Sequence, residues 1–236
     1  MKARGFTLLE CLIGLSLSLF VVCACLEFFV AAQKHFFELK EKEEAAQGAL
    51  AAMDKIKVDI LRAGLGLVRP AALGLVEAVA EDAGGLLVTR AEKAYELTAD
   101  VLEGDVRLSL ASVADLRAGR EICLLDGEKG EVRVISSVAA GTVVLSSPVG
   151  FGYAREKASV ILLEKISLYM DAGKSILRRR VNLSPAQPLL ENVRSADFLV
   201  DRAANLVRVR LGLENQGDAT YEICLFPKNP ALAGRT

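Results

Sequence analysis

Residues 4–32 read RGFTLLECLIGLSLSLFVVCACLEFFVAA. The stretch is apolar from Phe6 to Ala32 except for Glu10 and Glu27, and the run from Cys11 to Leu26 carries no charge. A membrane-spanning helix needs about 20 apolar residues, so this stretch is long enough to be one. A cleaved secretory signal would stop sooner and end in small residues, a pattern only weakly present here. The helical pattern instead continues. Lys34–Glu44 is a solvated charged stretch with Glu38 and Lys42 at i,i+4, and Ala46, Ala49, Leu50, Met53, Ile56 and Ile60 recur at spacings of three and four. Gly64, Gly66 and Pro70 supply the stop. One helix from Phe6 to Ala63 would be about 87 Å long at 1.5 Å per residue, apolar all round in its first half and amphipathic in its second.

Bulk composition sets limits on the rest. The 236 residues are 52% hydrophobic, with the excess near the N-terminus, and 29 basic residues balance 30 acidic ones for a net charge of −1. That balance leaves no electrostatic footprint for nucleic acid. Lys2 and Arg4 precede the span and nothing of comparable density follows it, which predicts a cytoplasmic N-terminus and an exported remainder.

The heptapeptide Arg4-Gly5-Phe6-Thr7-Leu8-Leu9-Glu10 resembles the prepilin cleavage motif of type IV pilins and type II secretion pseudopilins. The resemblance implies cleavage by prepilin peptidase between Gly5 and Phe6 and N-methylation of Phe6. It assigns Glu10 to assembly, as the partner of a neighbouring subunit's N-terminal amine. A lone carboxylate in lipid is costly and an opposite charge offsets that cost. Major pilins often carry a proline within the apolar helix. Here none precedes Pro70, and Glu27 lies deep in the run, so the chain departs from an abundant fibre-forming subunit.

From Gly84 onward the pattern changes to period two, with strands predicted at 86–90, 95–101, 106–110, 121–126, 131–138, 142–147, 159–171, 174–181, 195–201, 206–214 and 220–226. The cleanest alternation is in 206–214, where Val207, Val209, Leu211 and Leu213 should face a core and Arg208, Arg210 and Glu214 the opposite side. Asp171–Lys174 and Asn215–Asp218 read as hairpin turns. The expected fold is α+β, a pilin-like roll in which the long helix packs on an antiparallel sheet. The expected organisation is a leader at 1–5, a transmembrane or filament-core helix at 6–32, its amphipathic continuation at 33–66, and an exported β-rich domain at 67–236 with a β submodule at 83–152 and a frayed tail from Lys228. The segments MDKIKVDILRAGLGL (53–67), ISLYMDAGKSILRRR (166–180) and QPLLENVRSADFLV (187–200) resemble PilW-type minor pilins and are reminiscent of J-class type II pseudopilins.

Little chemistry is legible. His35 is a lone histidine on the helix and reads as solvated. No calcium loop, phosphate loop or nucleophile elbow occurs, so neither metal nor cofactor nor enzyme is expected. Cys11, Cys23 and Cys25 lie in the apolar run. Export would allow a Cys123–Cys224 disulfide, and two separately buried thiols is the other reading. Arg178-Arg179-Arg180 suggests DNA, but reads better as solvated strand positions. Asn182-Leu-Ser184 fits a glycosylation sequon followed by Pro185.

Expected partners are therefore prepilin peptidase, other minor and major pilins or pseudopilins, and the bacterial inner membrane before assembly into a filament. The expected function is priming or tip-complex assembly of a type IV pilus. The alternatives are a J-class secretion pseudopilin, or a tip-located adhesin or DNA-uptake module.

Overall fold

The computed structural model describes residues 7–214, 217 and 219–233. Two compact units are present, residues 1–47 and 48–236. Helix α1 (Leu8–Leu61) supplies all of the described first unit except Thr7, and the opening of the second.

In the first unit the helix is exposed nearly throughout, and an 18-residue window of α1 reaches a mean hydropathy of 2.3 with none of it buried. It is long and apolar enough to cross a membrane.

The second unit is α+β, and every strand pair in it is antiparallel. α1 enters it with Ala49, Ala52, Met53, Ile56, Asp59 and Ile60 buried on one face. This corrects the expected stripe at three positions: Leu50 is 57% exposed, whereas Ala52 and Asp59 are inside. The helix lies over a β wall. Gly48 sits against Leu190, and Asp59 meets Arg179. The helix ends at Leu61, two residues short of the expected Ala63, and the turn that follows passes through Gly64 (φ +69°) and Gly66 (φ +73°), a left-handed conformation that costs glycine little. A Cβ on Gly66 would come within 2.8 Å of the Ala91 side chain. There the chain is laced into a strand, with Gly64 N–H donating to Thr89 O at 2.8 Å and Ala91 N–H to Leu65 O at 2.9 Å.

After a short helix α2 (Val68–Ala72) come strands β1 (Val79–Asp82), β2 (Gly85–Glu96), β3 (Arg107–Ser109), β4 (Glu121–Leu125), β5 (Gly130–Ala139), β6 (Thr142–Leu145), β7 (Ser159–Asp171), β8 (Ile176–Val181), β9 (Gln187–Leu190), β10 (Val193–Asp201), β11 (Leu206–Leu213) and β12 (Thr220–Leu225), then helix α3 (Lys228–Ala233). Nine strands form one sheet, ordered β1-β2-β7-β4-β5-β6-β3 with β8 and β9 branching from β7; β10-β11-β12 form another. Strand β7 is the fork. Its first residues pair with β4, its last with β8, and β2 accompanies it along the other edge from Glu96↔Ser159 to Leu86↔Leu168.

Beyond the fork the sheet curls into a closed barrel. Strand β3 pairs β6 on one side. On the other it meets the chain just past β2, through Thr98 N–H to Ser109 O and Ala111 N–H to Glu96 O, both near 3 Å. A dense apolar cluster fills the barrel, from Tyr95 and Leu97 through Leu108, Ile122, Ile135 and Val143 to Tyr153 and Leu162. A barrel of this size is packed by side chains rather than hollow. The cluster also takes in Tyr153, Val160 and Leu162, beyond residue 152.

The predicted strand 86–90 and the first two residues of the predicted strand 95–101 belong to one continuous β2 with a bulge between Ala91 and Lys93, whereas 97–101 form no strand, only isolated bridges at Leu97 and Val101. Strands β1 and β9, four residues each, were not predicted; β9 contains Pro188, which reads against a strand. In β11 the expected alternation holds: Val207, Val209, Leu211 and Leu213 are at most 1% exposed. The Asp171–Lys174 turn joins β7 to β8, closed by Lys174 N–H to Asp171 O at 3.1 Å. Most of the Asn215–Asp218 turn lies outside the described residues. The tail is not frayed from Lys228. It forms α3, and Asn229 Nδ2 donates to Ala63 O at 2.8 Å, satisfying a carbonyl left over at the end of α1.

Candidate assembly interface

Gly5 and Phe6, the residues on either side of the expected cut, lie outside the described residues. Glu10 lies inside them, and its surroundings contain a feature the sequence reading missed. Thr7 is the residue before α1, and Thr7 N–H donates to Glu10 Oε2 at 2.9 Å. The Thr7 hydroxyl donates to the same oxygen at 3.0 Å, while Glu10 N–H donates to Thr7 Oγ1 at 3.3 Å. This is a reciprocal capping box, which satisfies two of the helix's leftover N–H groups. The signal was present in the sequence as Thr-x-x-Glu before an apolar run. The carboxylate also sits where the helix dipole favours negative charge. Glu10 is therefore held by its own chain.

Past the box the helix exposes a long apolar surface. Leu8 (83% exposed), Phe20 (74%) and Phe28 (76%) stand out from it. Ser16 and Ser18 do not disturb this surface, because each hydroxyl donates to a carbonyl one turn back, Ile13 O and Leu15 O, both at 2.9 Å. Glu27 is exposed within the same run. Farther along, His35 lies 3.8 Å from Glu38 and is largely exposed, as expected of a solvated helix position. Among the described residues no group of three or more His, Cys, Asp or Glu side chains could hold a metal.

No family model matches the chain. No curated protein matches it either. Among solved structures, partial likenesses are to phage tailspikes. One is the Gp54 tailspike of Acinetobacter baumannii bacteriophage AP22, solved in complex with A. baumannii capsular saccharide: 13% identity, 31% of this chain, 15% of that one, TM-score 0.29. The Pseudomonas phage phi297 tailspike gp61 gives 22% identity, 32% of this chain, 14% of that one and TM-score 0.28. Tailspike gp49 of Pseudomonas phage LKA1 gives 18%, 31%, 15% and 0.27. The chain spans about a seventh of the length of these proteins, and at such scores the likeness bears on neither fold nor function.

The second unit redistributes the remaining candidates. The three arginines of β8 are not a solvated run. Arg178 Nε donates to Asp171 Oδ2 at 2.8 Å. Arg179 makes a two-pronged contact with Asp59, Nε to Oδ2 at 2.6 Å and Nη2 to Oδ1 at 2.9 Å. Asp59 is only 2% exposed and the guanidinium 14%, so this is a buried ion pair fastening α1 to β8. The Asp59 carboxylate holds the Arg179 guanidinium above its already high range. Arg180 alone faces solvent. The sequence pointed to the arginines but not to Asp59, which looks like any helix-surface acid until its burial is known.

The cysteine expectation is corrected. All five thiols are free: Cys123 is buried in β4 and Cys224 is exposed on β12 of the other sheet. Burial pushes the Cys123 thiol up to about 11. The competing expectation of two buried thiols holds only for Cys123. Asn182 sits in a left-handed turn (φ +51°), and its Oδ1 accepts from Lys165 N–H at 2.8 Å.

A cleft of about 360 Å³ between Ala78, Val79, Val200, Leu206 and Pro227 also includes the Glu77–Arg202 pair at 3.0 Å. Its lining residues hold no nucleophile beside a base.

Proposed function

We propose that this chain is a non-catalytic minor pilin or pseudopilin that takes part in priming or tip assembly of a type IV pilus. The observation that carries the reading is the union, in one helix, of an exposed apolar run that opens on Glu10 with a buried-face continuation into an antiparallel domain. Such an element can reside in a membrane, leave it among other apolar helices, and carry a folded domain with it in both states. On this reading the unit 48–236 is a pilin-like roll with a barrel inserted. It is held on the periplasmic side of the inner membrane with the N-terminus cytoplasmic, and later on a filament or cell surface. A J-class secretion pseudopilin would share every one of these features, and gene neighbourhood separates the two. A DNA-binding tip module is less well supported, because Arg178 and Arg179 are engaged by Asp171 and Asp59.

Co-expression with a prepilin peptidase should shorten the chain by Met1–Gly5 and add a methyl group to Phe6, read by intact mass. An unchanged mass with an active peptidase would sink the processing claim. Glu10→Ala should be cleaved normally yet enter filaments severalfold less; normal entry would remove Glu10 from assembly.

A further inference from the structure

Two carboxylates bracket the uncharged part of α1. Between Glu10 and Glu27 stand sixteen residues, Cys11–Leu26, none of them charged. At 1.5 Å per residue the two glutamates are about 25 Å apart along the helix axis, against about 30 Å for the hydrocarbon core of a bilayer. The stretch between them is a few ångströms short, a mismatch that a bilayer meets by thinning locally.

The apolar character does not stop at Glu27. Phe28, Phe29, Val30, Ala31 and Ala32 follow, and the next charge is Lys34. Two placements in lipid therefore compete. In one the span closes at Glu27. In the other it runs on to Lys34 and draws Glu27 about 10 Å inward, at 1.5 Å per residue. The second placement leaves a carboxylate in hydrocarbon with no cation in reach on its own helix. Cys23, Ala24, Val30 and Ala31, one turn to either side, are all uncharged. Glu10 has the Thr7 hydroxyl one turn away, and Glu27 has no hydroxyl at that distance. An ionised side chain in mid-bilayer costs more than Phe28, Phe29 and Val30 together gain by immersion.

We propose that α1 is immersed in lipid only from Glu10 to Glu27, with one carboxylate at each face of the bilayer. Phe28 and Phe29 then lie in the headgroup layer. Phe36 follows Glu27 by about 13 Å of helix, whereas the headgroup layer is only about 5–8 Å deep on each side. Phe36, Phe37 and Leu39, each more than half exposed, therefore stand beyond the lipid. The boundary is an acid inside the apolar run and not the end of that run at Ala32.

This placement rests on the membrane reading, and depth-resolved quenching separates the two. The chain has no tryptophan, so Phe20→Trp, Phe28→Trp and Phe36→Trp each introduce a single fluorophore at an exposed position. Each full-length variant is reconstituted in phosphatidylcholine vesicles whose acyl chains carry bromine either near the terminal methyl or near the carbonyl. Phe20→Trp, close to the midpoint of the span, should be quenched several-fold more by deep bromine than by shallow. Phe28→Trp should show the reverse preference. Phe36→Trp should be quenched by aqueous iodide and by neither lipid. Adding Glu27→Leu to Phe28→Trp should shift its quenching toward the deep bromine, since nothing then holds that point of the helix at the surface. Deep quenching of Phe28→Trp with Glu27 in place, or no shift on Glu27→Leu, would overturn the placement while leaving the membrane reading intact. No quenching of any variant by either lipid would overturn both.

Discussion

Asp59 and Arg179 are a buried pair in which each residue is costly without the other. Removing one partner from a buried ion pair costs about 3–5 kcal/mol, whereas replacing both with apolar side chains of similar volume is often neutral. Arg179→Met or Asp59→Leu alone should therefore lower the denaturant midpoint of the second unit sharply. The double variant should recover most of the loss, and additive losses would show that the pair contributes nothing as a pair. The two described thiols of this unit differ in the same physical way. Cys123 is held near 11 by burial, against ~8.5 for a free thiol. Because the folded value is raised, its contribution to stability is complete below the unfolded value and is lost as pH climbs toward the folded one. Alkylation at pH 8 should modify exposed Cys224 readily and Cys123 about 100-fold or more slowly, since only the thiolate reacts. Equal rates would contradict the burial of Cys123. At this scale the sequence was legible where one rule acted alone. The alternation of Val207–Leu213 gave the right face residue by residue. It was illegible where partners lie far apart in the chain: nothing local marks Asp59 for burial, since its partner stands 120 residues away. Thr7–Glu10 is the reverse case, a local signal overlooked because the carboxylate was weighed only as a charge in lipid.

Among the elements, β7 carries the most. It runs thirteen residues, serving the barrel with its first third and the helix-covered wall with its last. The registers put Glu96 directly opposite Ser159, so residues 97–158 hang from the mouth of what would otherwise be a simple hairpin. Replacing 97–158 by Asn-Gly, the dipeptide favoured in two-residue hairpin turns, should leave β2 and β7 paired and the sheet β10-β11-β12 intact. Hydrogen exchange should find β8 and β11 amides still protected. Solubility should fall, because Tyr95, Val160 and Leu162 lose the barrel interior that now covers them. Loss of protection throughout would mean that the barrel is needed to fold the wall. The strands themselves could be read from alternation and turn residues. The closure of β3 onto the chain after β2 could not, since it rests on two main-chain bonds between segments with no distinguishing side chains.

At the scale of the whole molecule, each unit has its own logic. The described first unit is a helix with its apolar side chains exposed, and the second closes on itself. Its closure includes α3, where Asn229 caps the Ala63 carbonyl and Pro230 lies against Gly64. Deleting residues 228–236 should cost about 1–3 kcal/mol, the penalty for a buried carbonyl left without a donor, measurable as a lower unfolding midpoint. No change would mean that water serves Ala63 equally well. The two residues of that cap stand 166 positions apart. A chain made from its N-terminus delivers α1 well before Asn229. The carbonyl at the end of α1 therefore waits for its donor through most of synthesis, and the second unit locks only once α3 has been made.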